Sequence, residues 1–114
     1  MADSLYAEQT LNLHNPESLY YLVDAVPGSM YGREFFPSLF EKAAAYPWHI
    51  ITRHIFNDGN KRTGMEACRV FLELNGYALR MDEGVIGIAM WVAEGKVTQE
   101  ELVEWVKESS TPLG

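Results

Sequence analysis

Apolar residues in this chain recur at three- and four-residue intervals over most of its length, and no stretch alternates long enough to build a sheet. That spacing places side chains on one face of a helix, so it constrains the fold more than any other feature. The clearest case follows Asn60: Met65, Cys68, Phe71, Leu72 and Leu74 share a broad apolar face. Asn57-Asp58-Gly59-Asn60 precedes it as a turn by composition, and Asn75-Gly76 closes it with residue types that tolerate left-handed geometry.

The same reasoning assigns the remaining elements. Apolar residues at 19, 22, 23 and 26 predict a helix over residues 17–26. Residues 27–33 hold two glycines and a proline without periodicity and read as a loop. Pro37 sits where a helix would begin, and Ser38 and Glu41 have capping-box spacing. The pattern from Leu39 runs to Ile55, interrupted by Pro47, which predicts either one kinked helix or two abutting ones. Residues 77–81 read as a short extended piece. Asp82 starts a helix whose middle, residues 86–93, is apolar nearly all round, which predicts burial at the centre of a bundle. Thr98 and Glu101 form a capping box before a last helix bearing Leu102, Val103, Trp105 and Val106. Trp48, Trp91 and Trp105 are assigned to the core, and residues 108–114 to a flexible tail. The expected fold is all-α, a compact bundle of five to six helices around a buried central helix, with a possible small flap loop or hairpin, in a single domain over residues 1–114.

Composition removes several functions. Nine Lys and Arg against 16 Asp and Glu give a formal charge of −7. That balance argues against binding nucleic acid through a broad basic face, and against an anionic membrane surface as partner. Cys68 is the single cysteine, so there is neither a disulfide framework nor a multi-cysteine zinc site. The opening residues lack the basic and apolar regions of a secretory signal, and no apolar run is long enough to span a bilayer. A cytoplasmic location is the expectation.

The chemistry concentrates in residues 54–63, HIFNDGNKRT. Lys61 and Arg62 open a helix at the end where the dipole disfavours cations. An anion bound there, most simply a phosphate cradled by backbone N–H groups with Gly59 allowing close approach, would give them a reason. The plainer alternative is that both point to solvent at a cost of a few tenths of a kcal/mol. His54 can accept a proton near neutral pH, or simply complement the end of the preceding helix. Asp58 is a hard oxygen ligand suited to Mg²⁺, or an N-cap for the next helix. A base, a metal carboxylate, a phosphate-cradling turn and two cations within nine residues are the parts that phosphoryl transfer needs. His14 and His49 lie far from any second ligand in the sequence and receive no role; Cys68 falls on an apolar face and reads as a buried, inert thiol.

The segment resembles the signature of the Fic/Doc superfamily, His-x-Phe-x-Asp/Glu-Gly-Asn-x-Arg. His54, Phe56, Asp58, Gly59, Asn60 and Arg62 match it in register. Lys61 resembles the Doc (death-on-curing) branch; the nucleotidyl-transferring branch has glycine there and a second arginine where this chain has Met65. Further likeness runs from residue 37 to about residue 107, while residues 1–36 match poorly. The resemblance implies His54 as general base, Asp58 as the Mg²⁺ ligand, Gly59 and Asn60 as the anion-binding turn, and Lys61 and Arg62 as phosphate ligands. It implies ATP and Mg²⁺ as cofactors and a Doc-type toxin that phosphorylates a translation elongation factor on a threonine and so arrests growth. Adenylylation of a protein hydroxyl and a catalytically silent helical interaction module are the alternatives. Residues 27–36, with Gly28 and Gly32 as pivots, are the expected target-aligning flap. The inhibitory glutamate helix of the family is not matched; residues 4–9 come nearest, with Gln9 at the last position, so inhibition is expected from a separate antitoxin chain. Oligomeric state is left open.

Overall fold

A computed structural model describes residues 13–25, 29–30, 33–34 and 38–114. In chain order these form α1 (Pro16–Ala25), β1 (Ser29–Met30), β2 (Arg33–Glu34), α2 (Leu39–Thr52), α3 (Asn60–Leu74), β3 (Tyr77–Leu79), α4 (Glu83–Ala93), α5 (Gln99–Glu108) and β4 (Ser110–Pro112). The fold is all-α, with five helices among the described residues and two antiparallel strand pairs, β1–β2 and β3–β4.

Local signals account for most boundaries. The Asn15 side chain accepts from the Ser18 N–H at the start of α1, with Pro16 in the first helical position, where its missing donor costs nothing. Ser38 caps α2 by accepting from the Glu41 N–H at 3.0 Å. Asp82 caps α4 through the Gly84 N–H at 2.9 Å. Thr98 and Glu101 complete both arms of the capping box on α5. Gly76, at φ 88°, ends α3 in the left-handed conformation that its lack of a Cβ permits.

Pro47 leaves α2 as one helix. Its ring is fully buried, and α3 crosses directly over it at Gly64. A Cβ on Gly64 would stand 2.9 Å from the Pro47 Cα, so the two backbones meet where only glycine fits. The α2–α3 contact is the most extensive among the described elements. Around it lies the main core: Ala43, Ala44 and Ile51 of α2, Met65, Cys68 and Leu72 of α3, Val85, Ile88, Ala89 and Val92 of α4, and Leu102 and Val106 of α5. A smaller cluster, Leu22, Ala45, Ile50 and Ile55, joins α1 to the other side of α2.

Three expectations are corrected. First, α4 is not buried all round. Val85, Ile88, Ala89 and Val92 face the core, while Ile86, Met90 and Trp91 are 66%, 45% and 53% exposed. The helix packs with one face against α2 and α3, and no described element covers the opposite face. Second, Trp91 is therefore a surface residue, whereas Trp48 and Trp105 pack against the core as expected. Third, residues 110–112 pair with β3, Leu79 opposite Ser110 and Tyr77 opposite Pro112, with the Arg80 N–H donating to the Ser109 carbonyl at 2.9 Å. The free edge of Tyr77–Leu79 supplies backbone partners for the segment after α5, which the local sequence gave no sign of needing. The residues 4–9 compared with the inhibitory helix, and the pivots Gly28 and Gly32, lie outside the described residues; β1, before Gly32, and β2, after it, pair antiparallel, Ser29 opposite Glu34.

The crossing makes a prediction of unusual sign. Glycine to alanine inside a helix ordinarily stabilises by about 0.5–1 kcal/mol. Gly64→Ala should instead destabilise by about 1–2 kcal/mol, because the new methyl forces the helices apart. The midpoint of urea denaturation measures it.

Candidate active site

The site is built where α2 ends and α3 begins. The end of α2 has two reciprocal hydrogen bonds: the Ile55 N–H donates to the Ile50 carbonyl at 3.2 Å, and the His54 N–H to the Ile51 carbonyl at 3.3 Å. This is a Schellman cap, and its hydrophobic contact is Ile50 with Ile55, both in the smaller core cluster. The position that such a cap reserves for glycine is His54, at φ 50°, the one non-glycine residue with positive φ among those described. A side chain in that region costs about 1–2 kcal/mol. Strained backbone of this kind clusters at functional sites, which makes His54 a candidate.

Neighbouring residues hold His54 in place. Asn60 is 8% exposed; its amide accepts from the Phe56 N–H at 2.9 Å and donates to the Phe56 carbonyl at 2.7 Å. The same Nδ2 lies 3.3 Å from His54 Nδ1. When Nδ1 accepts from Asn60, the neutral ring carries its proton on Nε2, so a base acting through Nε2 has to release that contact. Before α1, the His14 and Asn15 N–H groups both donate to the Ile55 carbonyl, at 2.7 and 2.8 Å, and Leu13 bridges to Phe56. Asn15 Nδ2 also donates to the Arg53 carbonyl at 3.3 Å. The His14 ring stands edge-on to that of His54, with centroids 5.4 Å apart.

The beginning of α3 is open. Gly59 occupies the N-cap at φ 76°, no side chain caps the helix, and its first turn holds no acidic residue. Asp58 is not the N-cap: it is exposed and accepts from the Gly59 N–H at 2.8 Å. A cleft of about 120 Å³ is lined by His54, Asp58, Gly59, Asn60 and Lys61 together with Ile51, Asn57 and Ala93. Five of the six expected site residues thus converge. The sixth, Arg62, is exposed and lines a neighbouring cavity of about 390 Å³, which Lys61 shares and which Met65, Met81, Ile86 and Met90 make largely apolar. Chemically the cleft offers an imidazole, a single carboxylate, an uncapped helix N-terminus and a cation. No group of three His, Cys, Asp or Glu side chains able to hold a metal occurs among the described residues. A lone carboxylate suits a Mg²⁺ ion that takes its other ligands from water and phosphates.

The family comparison agrees with this geometry. The sequence profile described as "Fic/DOC family" matches residues 7–72, more than half of the chain. The chain belongs to the Fic/DOC family. The matched span begins upstream of residue 37, where the likeness to the family first shows by inspection, so α1 falls inside the family region. Two curated relatives are similar to it. "Toxin Doc" of Mycolicibacterium smegmatis is 39% identical over 67 residues, 55% of this chain and 52% of that protein. "Protein kinase doc" of Escherichia phage P1 is 28% identical over 87 residues, 74% of this chain and 69% of that protein. The chain thus matches about half the length of the mycobacterial relative.

Two residues of this Fic/DOC chain escaped sequence reasoning. His14 reaches His54 only through the backbone pairing of residues 13–15 with 55–56, for which spacing holds no signal. His49 is buried, 7% exposed, and its Nδ1 accepts from Arg53 Nε at 3.1 Å while its ring packs on Tyr21. Burial first, and then the Arg53 guanidinium, hold its pKa below the usual 6.5. Cys68 is fully buried and its thiol is pushed up to about 12 by burial, in keeping with an inert core residue.

Two outcomes follow from these features. Because the strain at His54 is a backbone property, His54→Gly should be more stable than His54→Ala by about 1 kcal/mol, the reverse of the usual order. Paired denaturant melts of the two variants compare them without the lost ring contacts. For His49, the depressed pKa means that the unfolded chain binds a proton more readily than the folded one. Its contribution to stability is therefore present above pH 6.5 and is lost as the pH falls below that value. Thermal melts from pH 7.5 to 5 should show a smaller decline for His49→Leu than for the parent chain.

Proposed function

We propose that this chain is a Doc-type protein kinase, the toxin of a toxin–antitoxin pair, which transfers the γ-phosphate of ATP to a hydroxyl of a translation elongation factor and so arrests growth. The observation that carries this is the convergence of His54, Asp58 and Lys61 on one cleft at an uncapped helix N-terminus. The names of the two relatives, a Doc toxin and a Doc protein kinase, support it. A cytoplasmic location accords with this proposal, and no helix among the described residues is long and apolar enough to cross a membrane.

In this mechanism His54 takes the proton from the target hydroxyl as its oxygen attacks the γ-phosphorus. The bond between that phosphorus and the β,γ-bridging oxygen breaks, ADP leaves, and the proton rests on the imidazole. Gly59, without a side chain, lets the phosphates approach closely, and Asn60 and the residues after it present the backbone N–H groups of the α3 N-terminus to them. Lys61, at the junction of the small cleft and the apolar cavity, and Arg62, on the cavity side, hold the rest of the triphosphate. Asp58 would hold Mg²⁺, which neutralises charge on the phosphates when bound.

Transfer of the γ-phosphate is favoured over transfer of AMP by two residues. Lys61 stands where the nucleotidyl-transferring branch has glycine, and the position of that branch's second arginine is Met65, whose uncharged thioether cannot pair with a phosphate. Inhibition is assigned to a separate antitoxin chain, and the β1–β2 hairpin to alignment of the target by strand addition.

The test uses bacterial lysate, Mg²⁺ and ATP labelled at either the γ- or the α-phosphate, with His54→Ala beside the parent chain. Label entering protein from the γ-position alone, and lost by about 10²-fold or more in the variant, is the expected result. Label from the α-position overturns the kinase reading in favour of adenylylation. No His54-dependent label from either overturns both and leaves an interaction module.

A further inference from the structure

His54 is exposed on a turn, where an imidazole has no intrinsic reason to keep one orientation. A general base must nevertheless stay within hydrogen-bond reach of one proton along one line of approach. Three contacts of the segment before α1 bear on this. The N–H groups of His14 and Asn15 share the Ile55 carbonyl, immediately after His54. The Asn15 side chain donates to the carbonyl of Arg53, immediately before it. The His14 ring, at the centre of this strap, stands nearly perpendicular to that of His54, at 82° and 5.4 Å between centroids. Edge-to-face pairs at this separation are attractive and directional.

We propose that His14 is a positioning residue for His54: residues 13–15 strap the turn on both sides of the base, and the His14 ring buttresses the imidazole, whose Nδ1 lies against the Asn60 amide. The inference rests on the assignment of His54 as general base, and it adds to the site a residue that lies outside the signature. His14 acts through packing, since its backbone bonds survive any substitution that leaves the N–H intact. An aromatic ring of another kind can therefore replace it, whereas a methyl cannot.

The experiment uses the full chain with His14→Ala and His14→Phe. In His14→Ala, maximal transfer of γ-label from ATP into lysate protein should fall about tenfold, with the apparent KM for ATP changed less than about twofold. His14→Phe should retain most of the parent rate. Ring proton resonances of His54, assigned by their loss in His54→Ala, should move in His14→Ala as the neighbouring ring current disappears and stay displaced in His14→Phe. A merely structural role would give equal losses in both variants, tracked by their melting temperatures, and would overturn the proposal. Parent-like transfer by His14→Ala, or a loss confined to KM, also overturns it. If transfer proves independent of His54, the kinase reading fails on its own account. The resonances then decide this one: movement in His14→Ala alone supports the buttress, and no movement overturns it.

Discussion

The contact of Gly64 with Pro47 is the constraint on which the remainder of the molecule depends. A proline inside α2 removes a hydrogen-bond donor and would ordinarily kink or end the helix. Here its buried ring becomes the floor over which α3 crosses, at a separation that excludes even a methyl group. With the two helices this close, residues 53–59 must turn back sharply. The end of α2 and the start of α3 are thereby brought against each other, His54 from one and Gly59, Asn60 and Lys61 from the other. The candidate site is a consequence of the helix crossing.

The turn itself is held in an unfavourable state. A histidine occupies the left-handed position of a Schellman cap, and a helix begins with cations and without a side-chain cap. Each choice costs stability locally, and each makes sense if the turn exists to meet an anion and a hydroxyl. The cost is offset by hydrogen bonds to the backbone on both flanks: the Asn60 side chain closes on Phe56, and the strap before α1 closes on Arg53 and Ile55. The smaller core cluster of Leu22, Ala45, Ile50 and Ile55 then anchors both strap and turn to α2.

Much of this was legible in the chain. Caps at Ser38, Asp82 and Thr98, the break at Gly76 and the turn that ends at the Gly59 N-cap are local chemistry, and local chemistry is written in neighbouring residues. The candidate site residues, His54 and Asp58 to Arg62, fall within nine positions, so one motif singles them out together. What escaped depends on distant partners. The exposed face of α4 looked like core because Ile86, Met90 and Trp91 are apolar, and apolarity does not say whether another element covers it. The strand at residues 110–112 exists only because Tyr77–Leu79 offers an edge.

The sequence by itself determined the helices, their ends and the kinds of groups at the turn, because hydrogen bonding and periodicity act over a few residues. Only the tertiary structure decided which of those groups meet. It sent Arg62 to the apolar cavity and Lys61 to both it and the cleft, committed the Asn60 amide to Phe56, and set His14 against His54. Those placements follow from the packing of α3 over Pro47 and from the pairing of residues 13–15 with 55–56, contacts whose partners are too far apart in the chain for spacing to reveal them.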